Sequence, residues 1–223
     1  AVRAAEAIAP LFRSVDSAWD ALPEAAKKLP NARQAFEESF YKQKRAAAAM
    51  IMSLAGMGSA GREFFALDVT DPDNPQSLWR FNVASDTDLG LAMGKPVITK
   101  RRDGRWIVAL TSGYNNIQPG SGQGILFILD AYSGALLQKI TTSAGSVTSP
   151  AGLAQINSWI DSTIDNTASR FYGGDLLGNV WRFDIDDLYP PAGKEAVLIA
   201  SLINDHKLQP ITTRPELSEV RAG

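Results

Sequence analysis

The chain has 223 residues, 45% of them apolar and 21% charged, with a formal net charge of −2 and no cysteine. Such a composition is globular rather than disordered, the charge balance gives no basic footprint for nucleic acid, and the missing thiols exclude a disulfide framework and thiolate metal sites. The length suits one large domain or two small ones. No run of 18 apolar residues occurs, so the sequence offers no transmembrane helix. Ala1 to Glu6 lack the apolar core of a signal peptide, and the absence of an initiator Met reads as a fragment or a processed product.

Residues 1–49 read as helix, because Ala, Glu, Lys, Arg and Gln dominate them. Ile8, Leu11, Phe12, Val15, Trp19 and Leu22 recur at three- and four-residue spacing and form one apolar stripe. Pro23 and Pro30 bound a short second segment, and a third helix is expected from Asn31 through Arg45 with Phe36, Phe40 and Tyr41 on one side. This half reads as a helical cap or insertion of unclear role. Its mixture of acids and bases argues against a membrane-surface helix, which is usually rich in Lys and Arg.

From about Met50 the pattern changes. Gly, Pro, Asn and Asp punctuate short runs of β-branched and aromatic residues, which predicts many short strands. The expected strands are 63–69, 77–83, 95–100, 106–112, 125–130, 136–141, 170–173, 180–184 and 197–202. Three of them share a template of glycine, an apolar run and aspartate: Gly61 to Asp68, Gly124 to Asp130 and Gly178 to Asp184. After Asp68 and Asp130 come a turn and a further apolar strand, and each aspartate is expected to accept hydrogen bonds from the turn that follows. Pro96, Pro150 and Pro215 are read as heads of strands. The aspartates stand 62 and 54 residues apart. Four strands per unit at about this period, lengthened by loop insertions, is the pattern of propeller blades. The expected fold is therefore mainly β: a partial β-propeller of about three to four blades with quinoprotein-like repeats, preceded by the helical segment. Residues 50–223 would be blades of a larger ring, or of a ring that another chain or segment completes, because an open propeller exposes raw sheet edges.

Catalytic material is scarce. His206 is the only histidine, next to Asp205 on a polar turn, and it reads as a surface residue. No Gly-x-Ser-x-Gly elbow occurs. The stretch Gly120-Ser121-Gly122-Gln123-Gly124 lacks the Gly-Lys-Ser/Thr of a phosphate loop and reads as a hairpin turn. Trp79, Trp106 and Trp181 fall in strands, where packing between blades is their expected role. The expectation is a protein without catalytic activity. The repeats leave two alternatives open: a quinoprotein dehydrogenase propeller using pyrroloquinoline quinone, or a generic secreted scaffold.

Five elements carry a more specific resemblance. They are MGSAGREFFALDVTDP (57–72), Leu89-Gly90 with Gly94-Lys95-Pro96-Val97, Gly113-Tyr114-Asn115, YGGDLLGNVWRFD (172–184) and QPITTRPE (209–216). In this order they resemble the PilC/PilY family of type IV pilus tip adhesins and assembly factors over roughly residues 54–220. The resemblance implies a non-enzymatic surface protein that promotes pilus assembly or extension and adhesion. It implies minor pilins and the pilus machinery as partners, a host surface or receptor as a further one, and a place outside the cell at the pilus tip or outer-membrane surface. Where residues 1–49 read as helix the family has strands of an earlier blade, and further blades are expected beyond Gly223.

Members of that family often carry an EF-hand-like D-x-D-x-D-G-x-x-D loop before the element around Asp175. Aligned on it, Asp161 and Asp165 take the first and third ligand positions, Thr163 replaces the second carboxylate, and Ser169 replaces the closing acid. Asn166 stands where glycine makes the sharp turn, a conformation Asn tolerates. Two carboxylates instead of about four predict weak calcium binding or none, since affinity follows ligand charge. No other cofactor is expected.

Overall fold

The strand-and-turn pattern is realised from Met52 onward. The computed structural model describes residues 19–28, 30–37, 52–162, 164, 166–186, 193–205 and 207–219. Among the described residues the strands are β1 (Met52–Gly56), β2 (Glu63–Asp68), β3 (Gln76–Asn82), β4 (Val97–Lys100), β5 (Trp106–Thr111), β6 (Gln123–Asp130), β7 (Leu136–Gly145), β8 (Ile156–Ser162), β9 (Thr167–Gly174), β10 (Asn179–Asp184), β11 (Ala196–Ser201), β12 (Ile203–Asn204) and β13 (Lys207–Leu208). Strands β4 to β7 form a four-stranded antiparallel meander, and β8 to β11 form a second. One parallel pair, Lys100 with Thr167, links them into a single eight-stranded sheet. A separate sheet runs in the order β1-β2-β3. The fold is thus mainly β and built of propeller blades. Asp68, Asp130 and Asp184 each end the strand next to the outermost one of their sheet.

Strand β6 shows why blades must stack. Its residues Gly124 to Leu129 are all buried, and a strand with both faces covered reads as a continuous apolar run rather than an alternating one. Leu126 and Ile128 pack in one cluster with Phe171, Trp181 and Phe183 of the following blade. Phe127, on the opposite face, meets Phe81 of β3 with ring centroids 5.2 Å apart. Each buried Leu, Ile or Phe contributes about 1.5–3 kcal/mol, so the preceding and following sheets both stabilise this strand. Trp79 of β3 adds a polar tie: its indole N–H donates to the Ala131 carbonyl at 2.9 Å. A further tie is ionic. Lys139 on β7 reaches both Asp86 and Asp88 of the β3–β4 connection, at 2.9 and 2.8 Å. Burial opposes the charge on Asp88, but Lys139 and the Ser121 hydroxyl and amide outweigh it and hold the carboxyl below its ordinary value.

The chain divides into two compact units, residues 1–52 with 68–75 and residues 53–67 with 76–223. In the first, helix α1 (Glu24–Lys27) follows Pro23, with Glu24 in its first turn and Lys27 in its last, the order that suits the helix dipole. Residues 32–37 are also helical. Leu22 and Phe36 are buried, the Trp19 and Phe36 rings meet edge to face at 5.4 Å, and Arg33 lies over the Trp19 ring. Ile8, Leu11, Phe12, Val15, Phe40 and Tyr41 lie outside the described residues.

Three features differ from the sequence reading. Strand β1, Met-Ser-Leu-Ala-Gly, carries no β-branched or aromatic residue and gives no strand signal. Strand β8 covers residues that the alignment to a metal loop had assigned to loop. Pro96 immediately precedes β4, but Pro150 stands six residues before β8, and Pro215 lies in a segment without strand structure. The Pro215 carbonyl instead accepts a hydrogen bond from the Asn157 side chain at 3.0 Å.

Gly134, in the β6–β7 turn, has φ +69, and a Cβ there would lie 2.5–2.8 Å from Trp79 side-chain atoms. Gly104, in the β4–β5 turn, has φ +86 and nothing within 4 Å of such a Cβ. Gly104→Ala is expected to cost about 1 kcal/mol of backbone strain, and Gly134→Ala about 2 kcal/mol more through the clash with Trp79. Urea unfolding midpoints of the two variants check this; equal losses would refute the packing role of Trp79.

Candidate functional site

Asp175 lies in the turn between β9 and β10 and is fully buried. Its Oδ1 accepts the backbone N–H groups of Leu177 and Asn179, each at 2.9 Å. Its Oδ2 accepts the Asn179 side-chain amide at 3.0 Å and the Trp181 indole N–H at 2.8 Å. Four donors thus converge on one carboxylate, the pattern that makes a buried charge tolerable. The backbone of the same residue continues the network, since its carbonyl accepts the Ile211 N–H at 3.0 Å. Glycine at 174 is required for this approach: a Cβ there would overlap the Ile211 side chain.

From this hub a belt of backbone hydrogen bonds runs along one end of the blades. Leu176 donates to Ala151, Ala151 to Gly122, and Gly113 to Leu153; Leu91 donates to Tyr114 and Gly90 to Ser112, all at 2.7–2.8 Å. Ala92 closes the belt with Gly58 and Gly61, at 3.2 and 3.1 Å. Arg62 adds a side-chain clamp, donating to the carbonyls of Asn115 at 2.6 Å and Ile117 at 3.0 Å. Five motifs scattered between residues 57 and 216 therefore meet in space. The sequence reading noted Gly90, Gly113 and Asp175 only as parts of motifs. The signal for the hub was the run of glycines and Asn around an aspartate directly after a strand, the composition of a tight turn rather than of a ligand site.

Of the residues aligned to a calcium loop, Asp161, Asn166 and Ser169 lie at the opposite end. Strands β8 and β9 pair as far as Ser162 with Thr167, so Asp161 sits on β8 and Ser169 faces it from β9. Asp161 accepts from the Ser169 amide at 2.8 Å and from the Ser169 hydroxyl, and Arg170 forms an ion pair with it at 2.9 Å. Burial pushes the Asp161 carboxyl up, but the Ser169 and Arg170 contacts outweigh this and hold it below its ordinary value. Thr163 and Asp165 lie outside the described residues. Asn166 has φ +60, the glycine-like turn its position called for, and its carbonyl accepts from the Thr99 hydroxyl at 2.6 Å and the Lys100 amide at 3.1 Å. Asp161 thus receives three donors, two from Ser169 and one from Arg170.

Asp68 and Asp130 accept hydrogen bonds from their turns, from the N–H of Thr70 at 2.9 Å and from those of Tyr132 and Ser133 at 3.1 and 2.9 Å. Asp184 departs from the expected pattern. It is buried, and its Oδ2 pairs with Arg182 on the same strand at 3.1 Å. Gly120 to Gly122 end the β5–β6 connection, and Gln123 and Gly124 open β6. Among the described residues no three His, Asp or Glu side chains gather as a metal site, and His206 lies outside them.

Comparison with known proteins places this geometry. The "PilY1 beta-propeller domain" family matches residues 36–196. The "Type IV pilus biogenesis factor PilY1" of Pseudomonas aeruginosa strain UCBPP-PA14 is 36% identical over 132 residues, covering 58% of this chain and 11% of that protein. A PilY1 homolog of Xylella fastidiosa is 35% identical over 159 residues, 71% of this chain and 12% of the homolog. The chain thus spans about a ninth of the length of these relatives. The crystal structure of the P. aeruginosa PilY1 C-terminal domain superposes with a TM-score of 0.64 at 29% identity, covering 75% of this chain and 37% of that domain.

The hub is open to test. Asp175→Ala leaves four buried donors without an acceptor and is expected to cost about 3–5 kcal/mol. Asp175→Asn sets an NH2 group against the donors on Oδ2 and is expected to cost more than half as much. Chemical denaturation of the two variants provides the measure, and a loss below about 1 kcal/mol for Asp175→Ala would show that the hub does not hold the turn.

Proposed function

The chain belongs to the PilY1 β-propeller family, and on that premise we propose that it serves a type IV pilus biogenesis factor as a non-enzymatic scaffold at the cell surface or pilus tip. Its partners in this reading are minor pilins and the assembly machinery, with adhesion to a host surface as a second role. The observation that carries the proposal is the belt: the family motifs are spent on hydrogen-bonding successive blades to one another, which suits a rigid platform rather than a reaction centre. We read residues 50–223 as blades of a larger ring and residues 1–49 as an accessory helical segment. In the bacterium of origin, deletion of the gene is expected to remove surface pili, and complementation with an allele carrying Asp175→Ala to restore few of them. Electron microscopy of surface pili checks this, and normal piliation after deletion would overturn the reading.

We further propose that the hairpin bearing Asp161, Thr163, Asp165 and Ser169 binds calcium weakly or not at all. The support is the occupation of Asp161 by Ser169 and Arg170. Millimolar calcium is then expected to raise the thermal midpoint by less than about 2 °C, because a ligand stabilises only in proportion to its occupancy. A rise of several degrees that vanishes in Asp165→Ala would overturn this.

A further inference from the structure

The β4–β5 hairpin carries a concentration of charge of which the fold uses only part. Residues 100–105 read Lys-Arg-Arg-Asp-Gly-Arg, four cations against one acid in a chain whose net charge is −2. The backbone closes tightly, with Arg101 N–H donating to the Arg105 carbonyl at 2.8 Å and Gly104 N–H to that of Arg101 at 3.0 Å. Arg101 and Arg105 are therefore cross-strand neighbours, and like charges so placed destabilise a hairpin. Arg101 is drawn inward: it donates to the Ile185 carbonyl at 2.9 Å and lies 3.7 Å from Asp186. Asp103 accepts the Arg105 backbone N–H at 2.9 Å. Arg102 and Arg105 remain exposed at the tip.

One aromatic side chain lies against a cation of this hairpin, and another stands on the adjacent turn. The Lys100 ammonium lies 5.2 Å from the centre of the half-buried Trp106 ring. The adjacent β6–β7 turn is joined to Trp106 by the Ala131 N–H, which donates to the Trp106 carbonyl at 3.0 Å, and it presents Tyr132 at 41% exposure.

We propose that this tip is a docking site for the phosphate groups of an anionic lipid surface. Guanidinium forks match phosphate oxygens in pairs. Trp and Tyr beside cations are the side chains that settle at the headgroup level of a bilayer. The tip itself, residues 101–105, carries no aliphatic side chain, so it adsorbs on headgroups rather than inserting, and the attachment is electrostatic and sensitive to salt. An acidic protein surface would satisfy the arginines but gives no role to the aromatic flank. This inference goes beyond the pilus scaffold and stands or falls separately from it.

The test is sedimentation of the 223-residue chain with vesicles of phosphatidylcholine alone and with about one-third phosphatidylglycerol. Binding is expected only to the anionic vesicles at low salt, and it should be lost at about 0.5 M NaCl. Arg102→Gln with Arg105→Gln should weaken the partition at least tenfold, in line with the effect of two surface charges at such a membrane. Both side chains are exposed and Arg105→Gln relieves the repulsion with Arg101, so the thermal midpoint should not fall, and Lys95→Gln at an exposed position serves as the control with unchanged binding. Equal binding by the double variant would overturn the proposal, as would absence of binding to anionic vesicles. Two further results would reassign the site: saturable binding of inorganic phosphate without vesicle binding, to a soluble phosphate ligand, and binding of poly-glutamate without vesicle binding, to an acidic protein.

Discussion

One carboxylate organises this structure. Asp175 accepts four hydrogen bonds while fully buried, which fixes the β9–β10 turn, the rotamer of Asn179 and the indole of Trp181 at once. Trp181 is a member of the apolar cluster between the two four-stranded blades. The polar network of the turn and the hydrophobic packing of the blade are thus one structure, joined through a single indole ring. Because a buried charge is tolerable only when its partners are complete, the glycines around it have little freedom to change.

Much of the fold was legible because its signal is local. The apolar runs of β2, β6 and β10, each closed by an aspartate, need only residue type and spacing to be read as equivalent strands. What was not legible depends on partners far away in sequence. Strand β1 owes its conformation to β2 rather than to its own residues. Strand β8 forms because β9 offers it a ladder, and its terminal Asp161 finds Ser169 and Arg170 across that ladder. A carboxylate at ligand spacing in sequence and a carboxylate bonded to its cross-strand neighbours are indistinguishable until pairing is known. Asn166 was readable in advance because a positive φ is a property of one residue.

The two ends of the blades differ in kind. At the end built from the β3–β4, β5–β6, β7–β8 and β9–β10 connections, glycines let main chains approach and backbone groups satisfy one another. At the other end the β4–β5 turn carries Arg102 and Arg105, Arg101 reaches Ile185 and Asp186, and Asp161 on β8 pairs with Arg170 on β9, so charged side chains add to the backbone contacts there. Rigidity and surface chemistry are thereby assigned to opposite ends, which lets one change without disturbing the other.

The complete burial of β6 has a consequence before folding. Gly-Ile-Leu-Phe-Ile-Leu, residues 124–129, is a stretch without proline or charge and with strong β preference, the composition that self-associates into cross-β stacks when exposed. Both covering sheets must be in place before it is hidden, and the later one is made of residues at least 27 positions downstream, starting at Ile156. A chain emerging from a ribosome or a membrane pore thus presents this adhesive strand before its cover exists. Asp130, immediately after it in sequence, acts as a charged gatekeeper during that interval.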